Sequence, residues 1–115
     1  MIDLRQLMLM IKENKEMKAN MSLEFDCLVE ADSPDMLIRV INYIINYLTP
    51  LTEKDIEISL NAFRGGSTLS FAISTGLQEL PQFSDKIVPA LEPYKATCEL
   101  KHQPGIYAQV ILTFS

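Results

Sequence analysis

Several classes of protein are excluded by what the chain has little of. Its 115 residues include one histidine and two cysteines. Cys27 and Cys98 lie far apart at no metal-ligand spacing, so a zinc site would lack ligands and both read as buried, reduced thiols. The longest apolar stretches, Ile41 to Leu48 and Val110 to Leu112, fall well short of the roughly 20 apolar residues of a membrane span. Met1-Ile2-Asp3-Leu4-Arg5 has an early acid and no basic block before an apolar one, so it does not read as a secretion signal, and a cytoplasmic address is expected. Lysine and arginine are scattered within a net charge of −5, which argues against a nucleic-acid partner because phosphate binding needs a basic surface.

What remains is 48% apolar and 22% charged, a globular balance, and the length suits one domain spanning residues 1–115 with one core. No repeat or linker divides it. Leu4, Leu7, Met8 and Ile11 recur at helical spacing, and the polar run Lys12 to Glu16 continues with good helix formers, so residues 3–19 are predicted as an amphipathic helix. Met8, Met10, Met17 and Met21 suit core and cap packing, or an adaptable docking or dimer face on this helix. From Ser22 to Glu30 the period changes to two, with Leu23, Phe25, Cys27 and Val29 on one face, as in a half-buried strand. Ser33-Pro34 offers an N-cap with proline at the first helical position, and the helix from there should run to Leu48, before Pro50. Residues 56–73 read as a hairpin turning at Arg64-Gly65-Gly66-Ser67. Residues 82–96 carry helical spacing interrupted by Pro89 and Pro93, so a broken or kinked helix is expected. Thr97 to Gln103 and Ile106 to Phe114 close the chain as a hairpin across Pro104-Gly105, the pair suited to a type II turn. The order α-β-α-β-β-α-β-β implies a two-layer α/β sandwich, a mixed sheet of four or five strands with helices on one face.

On the second helix Asp35, Arg39, Asn42 and Asn46 form one polar stripe opposite Leu37, Val40, Ile41, Ile44 and Leu48. Spacing alone allows an ordinary solvated helix face. The same segment, Asp35 to Leu48, resembles the asparagine box of the histidine-kinase-type ATPases, the GHKL or Bergerat fold, with both asparagines in register. After the hairpin, Ser74-Thr75-Gly76-Leu77-Gln78 stands where that family carries its first glycine box, Asp-x-Gly-x-Gly. Leu91-Glu92-Pro93-Tyr94 is similar to its phenylalanine box, and Cys98 to Phe114 to its closing hairpin. The resemblance spans nearly the whole chain.

It also has gaps. The family's adenine-binding aspartate is Ser74 here, which offers no charged acceptor. Its second glycine is Gln78, which places a side chain where close backbone approach is needed. The alanine after the second asparagine is Tyr47. The second glycine box and the flexible lid have no counterpart. Asn42, Asn46, Ser74 and Gly76 are thus vestigial nucleotide-site positions. Two amides make a poor magnesium site without carboxylate or phosphate oxygens, so no metal or cofactor is expected.

His102 has no Ser or Cys partner at a motif spacing, and Asp32, Asp35, Glu53, Asp55 and Glu57 are not paired by local spacing for acid–base work, so no catalytic residue is assigned. The resemblance implies a degenerate, nucleotide-free domain acting on a signalling protein, or on a second copy of itself, in bacterial two-component-type signalling, with Asp35, Arg39, Asn42 and Asn46 as the interaction stripe. Two alternatives stay open. One is residual ATP and magnesium binding through Asn42 and Asn46 in a kinase or ATPase subunit. The other is a small-molecule module using a concave apolar site beside Asn42, Ser74 and Thr75.

Overall fold

A computed structural model describes residues 1–115. The first helix, α1 (Leu4–Lys15), starts where the Asp3 carboxylate accepts the N–H groups of Arg5 at 3.0 Å and Gln6 at 3.3 Å. It stops four residues earlier than the sequence suggests. Glu16 turns left-handed at φ +51° and donates its N–H to the Lys12 carbonyl, ending the helix through backbone geometry.

The strand expected over 22–30 is in fact two short ones. Strand β2 (Ala19–Leu23) runs parallel to β4 (Ile56–Phe63), with Ala19, Met21 and Leu23 toward the core. Asp26 then takes φ +60° and breaks the alternation. β3 (Leu28–Val29) therefore pairs not with the main sheet but with β1 (Ile2–Asp3), in a separate two-stranded ribbon. Cys27 and Val29 are buried as expected, but Phe25 is 69% exposed, its ring lying 4.3 Å below the Arg5 guanidinium.

Helix α2 spans Asp35–Leu48, with Leu37, Val40, Ile41, Ile44, Ile45 and Leu48 buried. Burying each such side chain is worth about 1.5–3 kcal/mol. Its start differs by one residue from the expected cap. Pro34 occupies the cap position, and the Ser33 hydroxyl accepts the Asp35 N–H at 3.2 Å.

Strands β4 and β5 (Gly66–Ser74) form the predicted hairpin, and β6 (Ala96–Gln103) and β7 (Tyr107–Phe114) form the last one. The latter turns on Gly105 at φ +77°, the backbone a type II turn asks of glycine. Gly66 meets a different need, since a Cβ there would run into the Phe114 carbonyl of β7. The five strands lie in the order β2-β4-β5-β7-β6.

The segment expected as a kinked helix is mostly irregular. It keeps one α-turn, α3 (Ile87–Ala90), and a 3-10 turn at Glu92–Tyr94. Pro89 and Pro93 fall inside these turns and limit both. Helices α1 and α2 cover one sheet face, and 27 buried residues make one hydrophobic cluster between the layers. The other face carries Ser59, Asn61, Thr68, Ser70, Gln109 and Thr113, all partly or fully exposed. No helix is long and apolar enough to cross a membrane.

Candidate functional site

The polar stripe sits on α2 opposite its core face. Asp35, Arg39 and Asn46 are exposed, while Asn42 is half-buried with its side-chain oxygen sealed and without a hydrogen-bond partner. The stripe is not open along its length. Lys15, the last residue of α1, donates its ammonium to the Asn46 Oδ1 at 3.2 Å. A cation from the neighbouring helix thus sits against one exposed end of the stripe.

One step around α2, Tyr43 and Tyr47 are four residues apart and form a second, aromatic stripe. Phe83 packs edge-on against both rings, with centroids 5.4 Å and 5.0 Å away. The backbone on either side of Phe83 is fastened as well. Ser84 donates its N–H to the Tyr43 hydroxyl at 2.9 Å, and the Tyr47 hydroxyl donates to the Pro81 carbonyl at 2.5 Å. Partial burial pushes the Tyr47 phenol up from its ordinary range, with the Tyr43 phenol adding to the shift. The segment 81–84 therefore lies clamped along α2.

A third clamp joins the later 3-10 turn, through Tyr94, to the start of α2. The Tyr94 hydroxyl accepts the Leu37 N–H at 3.1 Å and donates to the Ser33 carbonyl at 2.8 Å, in a buried setting. A side chain 57 residues away in sequence thus satisfies one of the N–H groups that every helix N-terminus leaves free.

Ser74 and Gly76 stand elsewhere. Ser74 ends β5 opposite Tyr107 and is exposed. Gly76 has open space where a Cβ would go, so nothing here requires a glycine. Thr75 between them is buried and holds the loop, donating its N–H to the Ile106 carbonyl at 3.1 Å and accepting the Leu77 N–H at 3.3 Å. The Gln78 amide reaches Gly105 in the last turn. Ser74 and Gly76 line a shallow hollow of about 540 Å³ together with Pro50 to Lys54, Leu77 and Ile106. Neither Asn42 nor Asn46 lines it, nor do they line any of the other principal hollows. Asp35 and Arg39 border a third region, about 770 Å³, beside Glu30, Asp32, Met36 and Tyr94. The structure thus brings Asn42 to Asn46 and Ser74 to Gly76, but joins the two pairs in no common concavity.

The remaining reactive groups are quiet. Burial pushes the Cys98 thiol up to about 11, and burial, followed by the nearby Glu24, Asp3 and Asp26 carboxylates, raises that of Cys27. Both are thiols rather than thiolates at neutral pH. The His102 Nε2 lies 3.2 Å from the Leu77 carbonyl, and no three His, Cys, Asp or Glu side chains gather as metal ligands. Lys15, Phe83, Ser84 and Tyr94 were not singled out in the sequence as partners of α2. Each reaches it across 31 or more residues, and only the i,i+4 spacing of Tyr43 and Tyr47 on the helix left a local signal.

No family model matches the chain, and no curated protein matches it in sequence. Among solved structures, histidine kinase AdeS of Acinetobacter baumannii superposes with a TM-score of 0.67 at 11% identity, covering 99% of this chain and 65% of its own. Full-length ShkA in complex with AMPPNP gives 0.62 at 13% identity over 95% of this chain and 27% of its own. The cytoplasmic segment of histidine kinase QseC gives 0.60 at 12% identity over 95% of this chain and 70% of its own. This chain therefore spans from about a quarter to about two thirds of the length of these structures, and at such identities the likeness is one of fold, the one found in these histidine kinases.

Proposed function

We propose that this chain is a histidine-kinase ATPase-like domain that works without nucleotide, as a protein-interaction module of two-component-type signalling in a bacterial cytoplasm. The observation that carries the reading is the Lys15 ammonium at 3.2 Å from the Asn46 Oδ1. In the resemblance that oxygen would hold magnesium, and a resident cation there repels a second one. Two further observations support it. Segment 81–84 is fastened to the flank of α2 beside the asparagines, and Ser74 and Gly76 face a different hollow. ShkA, by contrast, has been solved with AMPPNP.

With no nucleotide to hold, the exposed Asp35 and Arg39 are free to meet a protein. The class of partner is a receiver domain or a kinase core. A thermal-shift titration tests the nucleotide half, because a ligand that binds the folded state raises its melting temperature by mass action. A melting temperature unchanged to millimolar ATP, ADP and magnesium is expected, and a saturable rise would return the chain to the ATPases. Titration against purified receiver domains and kinase cores tests the other half. Binding weakened about tenfold by Asp35→Arg or Arg39→Glu is expected, a change of roughly 1.4 kcal/mol. Failure of all of them to bind would sink the interaction reading.

A further inference from the structure

The strand at the outer edge of the sheet carries a self-complementary pattern. β6 pairs on one side only, with β7, and does so without a bulge from Ala96 opposite Phe114 to Gln103 opposite Tyr107. It has no proline and no covering strand, and its two charges, Glu99 and Lys101, are of opposite sign. Just beyond the strand, Ser115 donates its N–H to the Lys95 carbonyl, which fixes the phase of the ladder. In an antiparallel pair the hydrogen-bonded positions alternate. Thr97, Glu99, Lys101 and Gln103 therefore turn their backbone groups toward β7, while Ala96, Cys98, Leu100 and His102 turn theirs to the free edge. Ala96 already donates to the Leu91 carbonyl at 3.3 Å. Three residues, Cys98, Leu100 and His102, are left with unpaired edge groups.

We propose that this edge pairs antiparallel with the same edge of a second copy, about a twofold axis through Leu100, to make one continuous ten-stranded sheet. The proposal does not rest on the functional reading above. In this register Cys98 meets the partner's His102, Leu100 meets the partner's Leu100, and His102 meets the partner's Cys98, which consumes the three free positions and leaves Ala96 to Leu91. Moving the axis to Cys98 or Glu99 would call on the Ala96 N–H that is already committed. Moving it to Lys101 would set that lysine opposite itself, and an axis at Glu99 would do the same with glutamates, each a destabilising like-charge pair.

With the axis at Leu100, Glu99 faces the partner's Lys101 and Lys101 faces the partner's Glu99. Both side chains are well exposed on the helix-free face, 63% and 49%, and touch each other only at 3.9 Å within the strand. On the helix face, the half-buried Leu100 side chain is covered by its twin. Charge and backbone phase select the same register.

Sedimentation equilibrium of the 115-residue chain from micromolar to submillimolar concentration tests this, read with charge-swap variants at the two exposed positions. The expected result is a monomer–dimer equilibrium weakened at least about tenfold by either Glu99→Lys or Lys101→Glu, and restored by the two together. Added salt should weaken the dimer. In a Cys98→Ser background, Leu100→Cys should form an intermolecular disulfide under mild oxidant, since facing residues in a hydrogen-bonded antiparallel pair lie about 5.5 Å apart at Cα, within disulfide range. Circular dichroism would show that each variant is folded. A chain that stays monomeric throughout overturns the proposal, even if β6 accepts a strand from some other protein. So does a dimer indifferent to the single swaps, or one that the double swap fails to restore.

Discussion

Lys15 closes α1 and lies 3.2 Å from the Asn46 side-chain oxygen on α2, so the residue that ends one helix holds an amide of the polar stripe on the next. The contact is solvent-exposed, and screening keeps its energy small. Lys15→Met is expected to lower stability by less than about 1 kcal/mol, measured by urea unfolding. A loss of several kcal/mol would mean that the pair is far less solvated than its exposure indicates.

The aromatic clamp should matter more. Phe83 is half-buried between two tyrosine rings, and Phe83→Ala removes both edge contacts and part of the apolar burial. A loss of about 1–2 kcal/mol follows from the aromatic and area terms. Hydrogen exchange should rise in residues 79–86 while the β4–β5 hairpin stays protected. Exchange rising equally throughout would contradict a locally fastened segment.

Tyr94 offers a sharper case. Its hydroxyl accepts the Leu37 N–H and is 4% exposed with the rest of the residue. Tyr94→Phe preserves the ring and leaves that amide at the start of α2 without its acceptor. The expected cost is about 1–3 kcal/mol, the range for a buried donor left unpaired. An unchanged midpoint in urea would show that the hydroxyl is dispensable there.

Cys98 sets a dependence on alkaline pH. Its thiol is pushed up to about 11 by burial, above the ordinary cysteine value of about 8.5. A raised value means that the unfolded chain loses this proton first. The contribution is complete at neutral pH, begins to fall as pH passes the unfolded value, and is gone above the folded one. The melting temperature should therefore drop less between pH 8 and alkaline pH in Cys98→Ser than in the parent chain. At pH 8, alkylation of Cys98 should be slowed by roughly two hundredfold relative to a free thiol, from its thiolate fraction. Equal rates would contradict the shift.

Much of the architecture was legible because it is written in local periodicity. The apolar spacing of α2, the alternation in β4, β5 and β7, and the Pro104-Gly105 turn each report the neighbouring backbone directly. The errors fall where one residue's backbone angle decides. Nothing in the composition of Glu16 or Asp26 marks a left-handed conformation, yet one shortens α1 and the other divides the expected strand. The candidate site was half legible for a related reason. Asn42 and Asn46 share a helix face by spacing alone, but Lys15 against Asn46 and Phe83 against the neighbouring tyrosines come from distant segments and leave no periodic trace.

The most direct measurement is an amide NMR titration of the folded chain with ATP and magnesium, following the side-chain amide signals of Asn42 and Asn46. Signals unmoved to millimolar nucleotide are expected if the Lys15 ammonium holds the Asn46 oxygen and segment 81–84 stays fastened to the flank of α2. Saturable movement of both amides, with sharpened signals for residues 81–84, would contradict the account and make this a nucleotide-binding domain.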